Sequence, residues 1–251
     1  GTFVSPRISG LLRKGDWNSR VSFGTGFVGP SALTEETEAA GLTRLELPQP
    51  LRPEKGRSAS IDVTRSAGPL AATLTVFAST VDDSITVDRD SVYAIRNAER
   101  TRNTGVELLG TFRHEPFAVT GTYTYVRARE SDGAHTEDVA LTPRHSAGVV
   151  GMWESEDAGR VGVEVYFTGR QRLEVNPYAS ESEPYVILGV LAERRFGRLR
   201  LFINGENLTA VRQTEWQPLI RADRGVDGRW TVDAWAPLEG RNINGGIRVT
   251  F

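Results

Sequence analysis

Hydrophobic and polar residues alternate over the stretch 241–251. One face carries Ile243, Gly245, Ile247, Val249 and Phe251, and the other carries Asn242, Asn244, Gly246, Arg248 and Thr250. A period of two is that of a β-strand with one apolar and one polar side. Such a strand needs lipid against its apolar side and a neighbouring strand at its edge. The pattern therefore predicts a strand in the wall of a membrane barrel.

The same alternation recurs along the whole chain. We expect eleven strands, at residues 3–12, 17–26, 57–66, 69–80, 102–113, 116–128, 144–154, 160–170, 184–196, 198–207 and 241–251. Most are near the 9 to 11 residues that a tilted strand needs to cross a bilayer. The ninth is nearly continuous in apolar residues and is also compatible with a buried strand of a soluble protein.

The connections between these strands alternate in length. Short turns are predicted at 13–16, 67–68, 114–115, 155–159 and 197, and long segments at 27–56, 81–101, 127–143, 171–183 and 208–240. Short periplasmic turns on one side and long extracellular loops on the other are typical of outer-membrane barrels. We therefore predict an all-β fold, an antiparallel up-and-down transmembrane β-barrel.

Aromatic residues fall near the predicted strand ends, where they would form the girdles of a membrane barrel. They are Trp17, Phe23, Phe112, Phe117, Tyr123, Tyr125, Trp153, Phe196 and Phe251. Aromatic residues are also good strand formers in soluble cores. The girdle interpretation therefore depends on the strand pattern.

Composition excludes some functions but does not by itself indicate a membrane protein. The chain has 25% charged residues, a net charge of -2 and no cysteine, and its mean hydropathy is -0.32. These values suit a barrel as well as a soluble protein, because half of each barrel strand faces a polar lumen. The near-neutral charge without a basic block argues against nucleic-acid binding. No metal-ligand set or cofactor motif is predicted.

Several short motifs, in order along the chain, carry a family resemblance. They are the Gly-rich segment 24–31 followed by Glu35 and Glu36, the Gly105-Val106-Glu107 segment, Asn207-Leu208, the Arg- and Trp-rich stretch 212–241, and Asn244, Gly246, Val249 and Phe251. Together they resemble the C-terminal part of a TonB-dependent outer-membrane receptor. Thr209-Ala210 departs from the residues that more often follow Asn-Leu in that family.

The resemblance implies a location and partners. Residues 1–251 would be the second half of a 22-stranded barrel in the outer membrane of a Gram-negative bacterium, without the plug domain and signal peptide. The receptor would take up a metal chelate such as a siderophore, or a similar nutrient, with energy from TonB contacted through the missing N-terminal region. Lipid would surround the barrel. Asn244, Gly246, Val249 and Phe251 would be read by the barrel-insertion machinery.

Ligand-binding residues are expected in the extracellular loops, because arginine forks pair with anionic chelates and indole rings stack. The candidates are Arg212, Gln213, Trp216, Arg221, Arg224, Arg229, Trp230 and Trp235, with Asp132 and His135 in a second polar cluster. The alternative is that these residues pin a long loop onto its neighbours. Six strand residues are expected to face the lumen: Asp62, Glu164, Arg200, Asn204, Glu206 and Arg248.

Two other functions stay open from the sequence. A soluble or secreted all-β binding module would show strands of roughly 5 to 6 residues and tight turns. An outer-membrane barrel enzyme would need a Ser or Asp beside His135 or His145 on the loop side. No elbow, zinc or phosphate-loop motif supports catalysis, so we expect no catalytic residue.

Overall fold

A computed structural model of the chain describes residues 3–30, 45–46, 50–88, 93–132, 135–174, 176–225 and 228–250. The strands in chain order are β1 Arg7–Lys14, β2 Trp17–Val28, β3 Leu45–Glu46, β4 Glu54–Ala67, β5 Leu70–Asp82, β6 Ile85–Asp88, β7 Tyr93–Asn97, β8 Arg100–His114, β9 Phe117–Asp132, β10 His135–Asp138, β11 His145–Ser155, β12 Gly159–Thr168, β13 Tyr185–Phe196, β14 Leu199–Glu206 and β15 Asn242–Val249. One short 3-10 helix spans Gln213–Glu215. In the described ranges no helix is long and apolar enough to span a membrane.

Eleven of these strands form one antiparallel meander, in the order β1-β2-β4-β5-β8-β9-β11-β12-β13-β14-β15. Each coincides with one of the eleven predicted strands, so the predicted fold class is confirmed. The five predicted short turns also join adjacent strands. Gly15, Gly68 and Gly197 occupy three of them with φ near +60°, a backbone conformation that favours glycine. The sheet ends at β1 and β15, which do not pair with each other in the described structure.

Three long segments contain strands that the sequence analysis placed in loops. β3, β7 and β6 form a small separate sheet, and β10 pairs with the end of β9. The prediction that residues 127–143 form a loop was therefore wrong in part, since β9 continues to Asp132 and turns back as β10. Charged residues dominate this extension, so the apolar alternation that marks a strand is missing there.

The strand register divides the main sheet into two faces. Asp62 pairs with Arg20 and Thr75, and cross-strand partners share a face. Following the register across the sheet places all six predicted lumen residues on this same face: Asp62, Glu164, Arg200, Asn204, Glu206 and Arg248. We call it the polar face.

The opposite, apolar face carries the aliphatic half of every alternating strand. Its side chains are solvent-exposed in the isolated chain, for example Leu108 at 47% and Ile247 at 70%. The described girdle candidates all lie on it: Trp17, Phe23, Phe112, Phe117, Tyr123, Tyr125, Trp153 and Phe196. Phe251 lies outside the described residues.

The apolar face has the height of a bilayer core. On β8 the uncharged stretch lies between Phe112 near the short turn and Arg102 near the long loops, ten residues apart. This corresponds to about 33 Å along the strand, or about 23 Å at a tilt of about 45°. The lipid-facing band of an outer-membrane barrel is about 25 Å tall.

Glycine positions distinguish a crowded face from an open one. On the polar face a Cβ at Gly105 would lie 2.4 Å from the Phe77 ring, and one at Gly189 would lie 2.5 Å from the Glu164 carboxylate. On the apolar face a Cβ at Gly110 or Gly151 would meet nothing within 4 Å. Side chains converge on the inside of a curved sheet, so the polar face is the concave one.

Candidate functional site

The polar face holds a cavity of about 530 Å³ between β1, β2, β4 and β5. Arg7 and Arg20 line it, together with hydroxyls from this face: Ser9, Ser22, Ser58, Ser60 and Ser79. Arginine and serine side chains donate hydrogen bonds, and arginine also brings positive charge. The cavity therefore suits a polar or anionic group passing along the concave face.

Two of the long loops pack together beyond the ends of β12, β13 and β14. We call residues 169–184 and 207–241 the loop pair. Leu173, Trp235 and Ala236 form its small core, with Tyr185 packed against it. Trp216 stands 5.3 Å from Trp235 between ring centroids and is 41% exposed. The loop pair thus has a water-excluding interior with an indole at its edge.

Gln213 is the polar centre of this interior and is fully buried. Its amide nitrogen donates to the Asp233 carbonyl at 2.9 Å, and its amide oxygen accepts from the backbone N–H of Trp235 at 2.8 Å. Its own backbone N–H donates to the Pro237 carbonyl. Of the predicted ligand-binding residues, Gln213 and Trp235 therefore hold the loop together, the alternative that the sequence analysis kept open.

Asn207 fastens the base of the same loop. Its amide nitrogen donates to the carbonyls of Val211 at 2.8 Å and Glu239 at 3.0 Å, and its amide oxygen accepts from the Val211 N–H. Its φ of +49° is tolerated by asparagine better than by most residues. This gives a physical reason for the Asn207-Leu208 motif.

The remaining predicted arginines of the loop pair are exposed or half-buried. Arg224 stacks over the Trp230 ring at 5.5 Å, and both are exposed. Arg229 pairs with Asp233 at 3.0 Å and Arg212 with Glu215 at 3.1 Å. Arg221 is half-buried and its backbone N–H donates to the Trp230 carbonyl. The structure therefore brings Arg224 and Trp230 together as a solvent-accessible pair, whereas Gln213 is buried.

Asp132 and His135 are paired in the backbone register at the tip of the β9–β10 hairpin. The carboxylates further down this hairpin are occupied by arginines: Asp138 by Arg144 and Glu137 by Arg172. The hydrogen bond from Arg144 lowers the pKa of the Asp138 carboxyl, and partial burial opposes this only in part. Among the side chains that the structure describes, no three His, Asp or Glu residues form a metal-binding group.

The C-terminal motif lies on both faces of β15. Asn244 and Gly246 are on the polar face and Val249 is on the apolar face. A Cβ at Gly246 would lie 2.8 Å from the ring of Phe202, its cross-strand partner. Gly246 therefore has a packing role in this sheet. Phe251 is not among the described residues.

Sequence reasoning missed two residues of the loop pair. The backbone of Gln171 exchanges hydrogen bonds with Ser182, which is almost fully buried. The side-chain amide nitrogen of Gln171 donates to the Trp235 carbonyl. These bonds tie the fourth long loop to the fifth. No periodic pattern or motif surrounds Gln171, so its sequence carries no signal of this role.

Comparison with known proteins gives one family and a consistent fold. The family model described as "TonB dependent receptor-like, beta-barrel" matches residues 1–208. No curated protein sequence matches the chain. The match ends just before the Arg- and Trp-rich part of the last loop.

Solved structures of similar fold cover nearly the whole chain. It is similar to the ferric-catecholate import receptor Fiu from K12 E. coli (TM-score 0.70, 15% identity, covering 98% of this chain and 34% of that chain). It is also similar to the FrpB iron transporter from Neisseria meningitidis (F3-3 variant), with a TM-score of 0.70 and 13% identity, covering 98% of this chain and 39% of that chain. The ferripyoverdine receptor of the outer membrane of Pseudomonas aeruginosa has a TM-score of 0.70 and 14% identity, with 98% of this chain and 32% of that chain covered. The chain thus spans about a third of the length of these proteins and shares their fold.

Proposed function

Because the chain belongs to the TonB dependent receptor-like β-barrel family, we propose that it forms part of the barrel wall of a bacterial outer-membrane receptor. The receptor imports a metal chelate, such as a siderophore complex, or a similar nutrient. The family implies that TonB supplies the energy, contacted through a plug domain. Residues 1–251 would supply the C-terminal portion of the wall.

The observation that carries this proposal is the division of the sheet into two faces. Charged and hydroxyl side chains lie on the concave face, and the exposed apolar face is about as tall as a bilayer core. A soluble protein would cover that face with another layer. Lipid supplies the cover in a barrel, and the polar residues then line the lumen.

The ligand class is supported by the loop-side chemistry. Arg224 and Trp230 present a guanidinium stacked on an indole at the exposed side of the loop pair, and Arg7 and Arg20 line the cavity on the polar face. Guanidinium groups bind anionic oxygen ligands bidentately. Two structures of similar fold, the ferric-catecholate import receptor and the ferripyoverdine receptor, are named for iron compounds.

Two observations weigh against the other functions. The strands of the main sheet have 8 to 16 residues, longer than the roughly 5 to 6 typical of soluble modules. An enzyme would need a Ser or Asp beside His135 or His145. The His145 Nδ1 lies 2.8 Å from the Tyr123 hydroxyl, and among the described side chains no Ser or Asp hydrogen-bonds to either ring. We therefore propose a receptor without catalytic activity.

Membrane fractionation and chelate uptake test the proposal. The full receptor should partition with outer membranes and need detergent for extraction, and cells carrying it should accumulate a ferric catecholate only with an intact proton gradient. The double substitution Arg224→Gln and Trp230→Ala should weaken chelate binding. The control Arg194→Gln, on the apolar face near the short turns, should not. Recovery as a soluble monomer without detergent would refute the membrane assignment.

A further inference from the structure

A row of cations lies on the apolar face at the loop-side ends of β4, β8 and β9. Its members are Lys55, Arg57, Arg100, Arg102, Arg127 and Arg129, all exposed. On the same level of this face, Asp82 pairs with Arg100 and Asp138 lies near Arg129. Cations therefore outnumber carboxylates along this row.

Arg102 and Arg129 are direct cross-strand partners. Like charges placed directly opposite each other destabilise a strand pair. Arg102 contacts no carboxylate within the described ranges, and Arg129 lies 3.7 Å from Asp138, which Arg144 also binds. An external anion between the two guanidinium groups would relieve their repulsion.

The space around this arginine pair is a cavity of about 580 Å³. It is lined by Glu99, Arg100, Arg102, Arg129, Ser131 and Thr136. The hydroxyls of Ser131 and Thr136 lie 3.1 Å apart. Asp82 pairs with Arg100 and Asp138 lies near Arg129, so Glu99 is the one carboxylate among the residues that line the cavity. Guanidinium forks beside hydroxyl donors match the geometry of a phosphate group.

The cavity sits at a defined height on the sheet. Arg102 lies ten residues along β8 from Phe112, about one bilayer-core thickness above that aromatic residue. Leu108 lies below the cavity on the same face, and Tyr123 is its cross-strand partner. A molecule whose anionic group occupies the cavity can therefore place an apolar chain against Leu108 and Tyr123 on the apolar face.

We propose that this cavity binds the phosphate-bearing head group of a lipid in the outer leaflet, with Arg102 and Arg129 holding the phosphate and the apolar face below receiving the acyl chains. The inference rests on the proposed location in an outer membrane. A lipid fits better than a soluble anion, because the cavity is continuous with the apolar face.

Native mass spectrometry of the detergent-solubilised full receptor tests this directly. Phosphatidic acid, phosphatidylcholine and inorganic phosphate are added separately as probes. We expect the receptor to retain phosphatidic acid, and Arg102→Gln with Arg129→Gln to reduce retention by about tenfold or more, because charge-assisted hydrogen bonds are lost. Arg194→Gln, on the same face near the short turns and stacked on Phe196, should leave retention unchanged.

Two further measurements keep the result decisive. Arg102→Lys retains the charge without the fork and should give intermediate retention, and circular dichroism confirms that each variant is folded. Equal retention by the double variant would overturn the inference, as would displacement of the lipid by equimolar inorganic phosphate. Failure of the receptor to fractionate with membranes would instead refute the proposed function, so the two failures are distinguishable.

Discussion

Apolar side chains are buried in the loop pair and exposed on the main sheet. Leu173 and Trp235 of the loop pair are 7% and 5% exposed, whereas Leu74 and Ile203 of the sheet are 41% and 55% exposed. All the buried hydrophobic residues of the described structure lie outside the eleven strands of the main sheet. The loops therefore follow the packing rules of a soluble protein, and the sheet does not.

The difference shows where each region obtains its stability. The loop pair excludes water with its own side chains, and the amides of Gln213 and Asn207 bond to its backbone. Each inner strand of the sheet is hydrogen-bonded to a neighbour on both sides, but the apolar face finds no protein partner in the described structure. Burial of apolar area drives folding, so in the proposed membrane location lipid would give the sheet the cover that the loops give each other.

The largest effect is expected from removing the polar centre of the loop pair. Gln213→Ala leaves the Trp235 N–H and the Asp233 carbonyl buried without partners, each at about 1–3 kcal/mol. The loop pair should become sensitive to limited proteolysis while the barrel remains intact. Glu215→Ala, two residues away and exposed, is the control. Equal protease resistance of the two variants would show that Gln213 does not hold the loop.

A pair of adjacent leucines tests the two faces of the sheet. Leu108 on the apolar face and Leu109 on the polar face are 47% and 42% exposed, so in water they are nearly equivalent. In a bilayer Leu108→Arg should destabilise the protein by about 2–4 kcal/mol, and Leu109→Arg by much less. The measurement is denaturant unfolding of the receptor reconstituted in lipid. Equal destabilisation would contradict the assignment of the faces.

Two glycines of β8 sharpen the contrast between a crowded and an open face. Gly105→Ala places a methyl group against the Phe77 ring and the Tyr125 carbonyl and should destabilise by about 1–3 kcal/mol. Gly110→Ala has open space and should be neutral. The midpoint of thermal unfolding in detergent measures both. A larger loss at Gly110 would indicate that the crowding lies on the other face.

The smallest effect concerns the ion pair of the β9–β10 hairpin. The pKa of Asp138 is lowered in the folded state by the hydrogen bond from Arg144. The stabilisation from this ion pair is therefore fully present above the pKa of Asp138 in the unfolded chain, about 4. It is lost as the pH falls through the lower pKa of Asp138 in the folded state. The amide protection factors of the hairpin, which correct for the pH dependence of intrinsic exchange, should be constant between pH 7 and 5 and fall below about pH 4. In Asp138→Asn this acid-dependent change should be absent.

The sheet was predictable because one polar and one apolar face give its strands a period of two. Strand β5 alternates so regularly that its faces could be assigned without coordinates, and the register confirms that Leu74 and Val76 share one face. The same rule fails in the loop-side extension of the sheet. The β9–β10 extension meets water on both sides, so no alternation marks it.

The loop pair could not be read in the same way. In sequence, Gln213 stands among arginines and tryptophans and suggests a ligand donor. Its role depends on Asp233 and Trp235, about twenty residues further along, and only tertiary packing brings these groups together. A single sequence without periodicity contains no information on which of its polar residues become buried.

Asn207 has a consequence for how the last two strands find each other. β14 and β15 are separated by the long loop, and the Asn207 amide closes a ring of 32 residues with Glu239. Relative to a four-residue turn, closing a loop of this length costs roughly 2 kcal/mol more in chain entropy. Of the three amide hydrogen bonds of Asn207, the one to Glu239 spans this loop and, at about 0.5–1.5 kcal/mol, offsets much of that cost, while the two to Val211 hold the amide in place. In polymer terms the Asn207 side chain acts as a reversible crosslink. It allows β14 and β15 to pair as if a short hairpin turn joined them.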